Sequence, residues 1–131
     1  MTDQYIKDFN SSLGELLDFM KDKSPDSIIL KNVDLVKSAV KKNPEKPIEQ
    51  FVIYVLKYKD EIDKGDEDFF LKKDYSEDMK GASTSLSDVL SFKDIWKKLE
   101  DNDKSFVKTS MQILAFCAQQ YFVSKYCADA E

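Results

Sequence analysis

The chain has 131 residues, a formal net charge of −5 and a charged fraction of 34%, values typical of one ordinary globular domain. It contains no histidine, which excludes imidazole bases, imidazole metal ligands and Ser-His or Cys-His nucleophile systems. All twenty basic residues are lysine, so the bidentate contacts that arginine makes with phosphate or guanine are also excluded. We predict no nucleic-acid binding, because an acidic chain lacks the basic face that neutralises phosphates.

Apolar residues recur at three- and four-residue intervals along most of the chain, and this spacing predicts α-helices. The first helix is predicted over about 3–22. A second is predicted from a cap at Ser24 to residue 41 or 42, ahead of Pro44. A third is predicted from Pro47 to Gly65, which is placed to end it in a left-handed cap.

Two further helices are predicted, over about 86–99 and about 104–126. The last one is apolar on more than half of its circumference, which is typical of a helix that others surround. We therefore expect an all-α, bundle-like single domain over residues 1–131, with about five helices and the C-terminal helix at its centre. A flexible linker is predicted around residues 75–87, with Gly81 as its loosest point.

Five large apolar residues at helix-face positions are expected to anchor the core. They are Phe9, Phe51, Trp96, Leu114 and Tyr121.

The stretch DKGDEDFFL, residues 63–71, first suggests a metal loop. With Gly65 as loop position six, Ile62 and Lys64 would fall at positions three and five, where a calcium loop needs oxygen ligands. A weak, irregular cation site remains a minor alternative, with carboxylates from Asp63, Asp66 and Asp68. We predict no metal site here.

Two other interpretations of the same stretch stay open. In the preferred one, a short turn plugs the core, and Phe69 or Leu71 closes it. In the other, the stretch docks on a partner protein, because exposed aromatic residues beside carboxylates are typical interface anchors. The predicted partner-binding set is Asp66, Asp68, Phe69, Phe70 and Leu71.

No pattern of catalytic residues is recognisable, so we predict a protein that is not an enzyme and needs no cofactor. Its three glycines are far apart, which excludes a phosphate-binding glycine loop, and no serine occupies a nucleophile elbow. Every carboxylate falls on a polar helix face or in a loop, rather than in the apolar setting that shifts a catalytic pKa.

The two cysteines and the N-terminus bear on location. Cys117 and Cys127 would lie about 15 Å apart on one helix, which is too far for a disulfide, so we expect free thiols in a reducing compartment. The sequence shows neither a signal peptide nor eighteen uninterrupted apolar residues. We therefore expect neither secretion nor a membrane span.

Two parts of the chain resemble a pattern in small helical proteins of unassigned function that nucleocytoplasmic large DNA viruses of algae and other protists encode. They are SFKDIWKKLEDNDKSFVKTSMQILAF and the middle region NPEKPIEQFVIYVLKYKDEI followed by DEDFFLKKDYS. Lys108 and Ser110 depart from the pattern, and the residues that fit are Phe92, Ile95, Trp96, Leu99, Lys104, Val107, Met111 and Gln112. The resemblance implies a viral protein, and it assigns no active site.

We therefore expect a non-enzymatic protein–protein interaction module in the virion or at an assembly site in the host cytoplasm, with a viral or host protein as partner. One alternative is a self-associating structural protein that forms a homodimer through the C-terminal helix. Another is a regulator of host or nucleic-acid machinery that does not bind nucleic acid through a basic patch.

Overall fold

The computed structural model describes residues 2–23, 27–75, 77–79, 84–93 and 95–126. These residues form α-helices and 3₁₀ turns, with no strand among them, and the predicted all-α fold class is confirmed. The α-helices in chain order are α1 (Thr2–Lys23), α2 (Ser27–Lys42), α3 (Lys46–Tyr54), α4 (Lys59–Lys64), α5 (Glu67–Lys72), α6 (Thr84–Leu90) and α7 (Asp101–Tyr126).

Helix α7 lies at the centre of the packing, as predicted. It contacts α1, α3, α4 and the 3₁₀ turn Leu56–Tyr58, while α2 packs against α1, α3 and α6. One row of α7 side chains alternates four- and three-residue steps, which keeps the row on a single helix face. Its members are all fully buried: Val107, Met111, Leu114, Ala118 and Tyr121.

All five expected core anchors are buried. Trp96 is 2% exposed, and Phe9, Phe51, Leu114 and Tyr121 are fully buried. Phe9 of α1 meets Phe51 of α3 edge to face, with ring centroids 5.4 Å apart, a favoured geometry for an aromatic pair. This contact ties the first and third helices together beneath α7.

The predicted third helix is interrupted near its middle. Helix α3 ends at Tyr54, a 3₁₀ turn spans Leu56–Tyr58, and α4 begins at Lys59. The interruption falls in a stretch rich in β-branched residues, which lose rotamer freedom in a helix and weaken it. Both Val55 and Ile62 remain fully buried across the interruption, so the apolar face continues into α4.

Gly65 ends α4 in the left-handed conformation, with φ 64°, so the predicted cap is confirmed. Its N–H donates to the carbonyl of Ile62 at 3.0 Å. A side chain from α7 completes this corner, because the Gln112 amide donates to the carbonyls of Ile62 and Asp63 at 3.2 Å each. The end of α4 is thereby fixed to the central helix.

Gly65→Ala is expected to destabilise the fold by about 1–2 kcal/mol, because a left-handed backbone is strained for any residue that has a Cβ. A Cβ there would lie 3.4 Å from Lys108 Cδ, an ordinary contact, so the loss measures backbone strain. Gly14→Ala is the matched control, because its Cβ meets nothing within 4 Å and alanine favours a helix by about 1 kcal/mol. Urea unfolding that ranks the two variants the other way would contradict the prediction.

The prediction of one helix over 86–99 is wrong in its second half, because α6 ends at Leu90 and a 3₁₀ turn follows at Trp96–Lys98. With 100° per residue, a continuous helix would place Phe92 and Ile95 opposite Leu86 and Leu90. Because α6 ends at Leu90, the Leu86–Leu90 pair and the Phe92–Ile95 pair can both point into the core. Each of these four side chains is at most 9% exposed.

Ser91 stabilises this break. Its hydroxyl donates to the Ser87 carbonyl at 2.8 Å and accepts the Tyr75 N–H at 3.2 Å. Hydroxyl groups that bond to local backbone in this way compete with helix continuation.

Part of the predicted linker packs on the core. Tyr75 and Met79 are each 1% exposed, and Leu86 is 3% exposed. Gly81 lies outside the described residues, as do Ser24 and Cys127. No described helix combines the length and the apolarity that a membrane crossing requires.

Candidate functional site

The acidic end of the DKGDEDFFL stretch forms a helix cap. Asp66 precedes α5 in an extended conformation, and its carboxylate accepts the Asp68 N–H at 3.0 Å. This is an ordinary N-cap, which satisfies one of the free donors of the first turn. Both carboxylates are exposed, and no three potential ligands converge on a metal position among the described residues.

The aromatic end of the stretch is divided between core and surface. Phe70 is 2% exposed and stacks on Trp96, with ring centroids 5.4 Å apart and planes 16° from parallel. Phe69 is half-buried against Tyr58, at a centroid distance of 5.7 Å, and Leu71 is also half-buried.

The expectation that Phe69 or Leu71 closes the core is therefore corrected, because Phe70 fills that position. The short helix α5 packs against the 3₁₀ turn Trp96–Lys98, and this contact directs the Phe70 ring inward. A fully packed ring is not available to a partner, so Phe70 also leaves the predicted docking set. Of that set, only Asp66 and Asp68 are exposed.

A charged cluster that sequence reasoning missed lies beside this segment, around Asp78. One carboxylate oxygen accepts from the Tyr58 hydroxyl at 2.8 Å and from Lys57 at 2.9 Å. The other accepts from Lys73 at 2.7 Å. Lys73 also lies over the Tyr58 ring, 4.0 Å from its centroid, a cation–π contact. We call Lys57, Tyr58, Lys73 and Asp78 the Asp78 clamp.

The lowered pKa of Asp78 indicates that the Asp78 clamp has a structural role. Burial alone would raise the pKa of Asp78, but the hydrogen bonds from Lys73, Lys57 and Tyr58 outweigh it and lower the pKa to about 2. A general base needs a pKa near the working pH, so this carboxylate is unsuited to that role. Burial likewise raises the pKa of the neighbouring Tyr75, which keeps its phenol protonated.

A second polar cluster, also missed from sequence, joins α7 to the start of α3. The Tyr121 hydroxyl donates to Glu45 and also contacts Glu49 at 3.3 Å. Lys125 binds both carboxylates, at 2.5 and 3.4 Å. Burial and the contact with Glu45 raise the pKa of Tyr121, and the hydrogen bonds from Lys125 and Tyr121 lower that of Glu45. These paired groups link the C-terminal part of α7 to the start of α3.

Cys117 is the free thiol that the structure describes, and it is 4% exposed. Burial raises its pKa, and a buried thiol with a raised pKa is unreactive.

The most distinctive surface is the solvent-facing half of α7, which borders the buried row. Seven large hydrophobic side chains are exposed among the described residues, and five of them belong to this helix. They are Ile113 (42% exposed), Phe116 (57%), Phe122 (39%), Val123 (46%) and Tyr126 (59%), which we call the α7 outer face. Residues 109–124 contain no charged side chain at all, although a third of the whole chain is charged.

Helix α3 extends the α7 outer face. Ile53, at 63% the most exposed large hydrophobic side chain among the residues whose burial is described, borders a groove of about 200 Å³ together with Val52, Phe122 and Tyr126. The sequence signals for this surface were the uncharged run and the wide apolar circumference of the last helix. They indicated a central helix, but they did not show that one side of it faces solvent.

Comparison with known proteins gives one informative likeness. No family model matches the chain, and no solved structure matches it. The chain is similar to uncharacterized protein R465 of Acanthamoeba polyphaga mimivirus, with 29% identity over 89 residues, 66% of this chain and 49% of that protein. The chain thus spans about half the length of this curated relative. The likeness to a protein of a large DNA virus agrees with the resemblance found in the sequence.

Proposed function

We propose that this protein is a non-enzymatic helical protein–protein interaction module, and that the α7 outer face is its contact surface. The observation that carries the proposal is the concentration of exposed hydrophobic side chains on one helix, four of the five within an uncharged stretch. The partner element that fits such a face is another helix with an uncharged apolar stripe, because two such helices can pack their side chains together.

The composition of the α7 outer face supports this assignment. Interface cores are depleted of charged residues and enriched in aromatic ones, and buried aromatic anchors supply most of the binding energy. Phe116, Phe122 and Tyr126 are three aromatic residues within eleven positions, each at least 39% exposed. Phe70 of the DKGDEDFFL segment is buried in the core, so we place the proposed contact surface on α7 instead of on α5.

The two titratable clusters support a non-enzymatic role. In each, the carboxylates, lysines and phenols are paired with one another. The pKa of Asp78 is lowered and that of Tyr121 is raised, so this carboxylate stays charged and this phenol stays neutral at neutral pH. Catalytic sites instead shift a pKa toward the working pH.

The likeness to a mimivirus protein supports a setting in infection. We propose that the chain acts in a cell infected by a large DNA virus, as a component of the virion or of an assembly site in the cytoplasm.

Site-specific photo-crosslinking in infected cells tests the contact surface. A photo-reactive phenylalanine analogue at position 116 is expected to form a covalent adduct with a partner helix. The same analogue at position 35 is the matched control, because Leu35 is 47% exposed on α2, away from the α7 outer face. Equal crosslinking at the two positions, or none at position 116, would remove the α7 outer face as the contact surface.

A further inference from the structure

We infer that the helix covering the α7 outer face is α7 of a second copy, packed antiparallel about a two-fold axis that crosses the outer side of α7 at the level of residue 118. The inference rests on the proposed contact surface and names its partner. Three observations support it: the spacing of the outward side chains on α7, the absence of charge over residues 109–124, and the exposed apolar area.

The spacing of the outward residues is that of a helix-packing seam. Ile113, Phe116, Gln120 and Val123 are separated by three, four and three residues, the rhythm that keeps side chains aligned toward a neighbouring helix. This sequence of steps reads the same in both directions. An antiparallel copy therefore places Ile113 against Val123 of its partner and Phe116 against Gln120, so each copy uses the same patch, as a two-fold interface requires.

Antiparallel pairing is favoured over parallel pairing for two reasons. It combines a bulky aromatic with a flexible amide in one layer, whereas parallel pairing would press Phe116 against its own copy. It also sets the macrodipoles of two 26-residue helices in opposite directions, which is the favourable orientation.

Charge favours a second copy at this face over a second copy elsewhere. The chain carries a net charge of −5, so two copies repel each other, and the repulsion is weakest where no charged side chains face each other across the contact. The α7 outer face satisfies this condition over residues 109–124. The lysines at its borders are neutralised within their own chain, because Lys108 pairs with Glu67 at 3.3 Å and Lys125 with Glu45 at 2.5 Å.

The available area suits a dimer that dissociates on dilution. With about 200 Å² for a whole aromatic side chain, the exposed parts of the whole α7 outer face amount to roughly 450 Å², and the seam uses only Ile113, Phe116 and Val123 of this face. A stable interface buries about 800 Å² on each partner. Because the available area is smaller than that, the expected complex is reversible and depends on concentration.

Sedimentation velocity over a wide concentration range tests the association. The purified chain is expected to shift from the 15.2-kDa monomer to twice that mass as concentration rises. A Phe116→Lys/Val123→Lys variant is expected to stay monomeric with an unchanged circular dichroism spectrum, because both side chains are half-exposed in the monomer. Leu35→Lys, the matched control, is expected to dimerise like the wild type.

A wild-type chain that stays monomeric throughout would overturn the inference, and so would an unaffected double-lysine variant. The proposed contact surface fails separately, through the absence of a crosslink at position 116. A monomeric chain that crosslinks at that position to a different protein would overturn the second copy as occupant and leave the contact surface standing.

Crosslinking of two differently tagged variants tests the orientation. Ile113→Cys and Val123→Cys are mixed in a Cys127→Ser background and treated with a short bifunctional maleimide. Antiparallel pairing predicts crosslinks between the two variants, because like positions would lie about 15 Å apart along the helix. Crosslinks confined to identical variants would overturn the antiparallel arrangement.

Discussion

Phe70→Ala is expected to lower the free energy of unfolding by about 3–5 kcal/mol, the usual loss when a buried phenylalanine leaves a cavity. Phe70 is 2% exposed and contributes one face of the stack with Trp96. Its removal also ends the contact that holds α5 against the 3₁₀ turn Trp96–Lys98. Urea denaturation followed by circular dichroism measures the loss.

Phe69→Ala is the matched control for this prediction. The two phenylalanines are adjacent, of equal size and on the same short helix, and they differ in burial. Because Phe69 is half-buried, its truncation removes less apolar contact, and we expect about half the loss of Phe70→Ala. A loss at Phe69 that equals or exceeds the loss at Phe70 would show that the core plug has been assigned to the wrong ring.

Asp78→Asn is expected to destabilise the fold by about 2–3 kcal/mol. Removing one partner of a buried ion pair typically costs about 3–5 kcal/mol, and the expected loss is smaller here because the Lys57 side chain is 56% exposed and regains water. The asparagine keeps the shape of the carboxylate, so the loss reports its charge. Glu77→Gln, at an exposed neighbouring position, is expected to stay within about 0.5 kcal/mol of the wild type.

The pH dependence of this loss follows from the lowered pKa of Asp78. Its pKa of about 2 in the fold lies below the ordinary value of 3.8, so the unfolded chain takes up the proton first as pH falls. The stabilisation is therefore complete above about pH 5 and disappears as pH falls from about 4 through 2. The stability difference between the wild type and Asp78→Asn should be constant from pH 5 to 8 and shrink in acid. A difference that does not change down to pH 2 would contradict the clamp.

The long helices could be predicted from the sequence because each carries a sustained apolar row that a helix alone brings together. The predicted 3–22 helix corresponds to Thr2–Lys23 and the predicted 104–126 helix to Asp101–Tyr126. The left-handed Gly65 was predictable for the same local reason, since glycine adopts that conformation readily.

The break after Leu90 was not predictable from apolar spacing. It depends on Ser91 hydrogen bonding to Ser87 and Tyr75, and the second partner is 16 residues away. The Asp78 clamp could not be predicted for the same reason, because Tyr58 and Asp78 are 20 residues apart in the sequence. Helix periodicity carries no information about pairs of polar groups that meet only after the fold has closed.

The burial of Trp96 has a practical consequence for all of these experiments. It is the single tryptophan of the chain, it is stacked on Phe70 and 2% exposed, and it lies on a 3₁₀ turn outside the α7 outer face. Its fluorescence is therefore an intrinsic reporter of the contact between α5 and the 3₁₀ turn Trp96–Lys98. Emission should move to longer wavelength when that contact opens to water, and should stay unchanged when two intact chains associate through α7. The chain thus carries a built-in optical probe that separates unfolding from assembly without any added label.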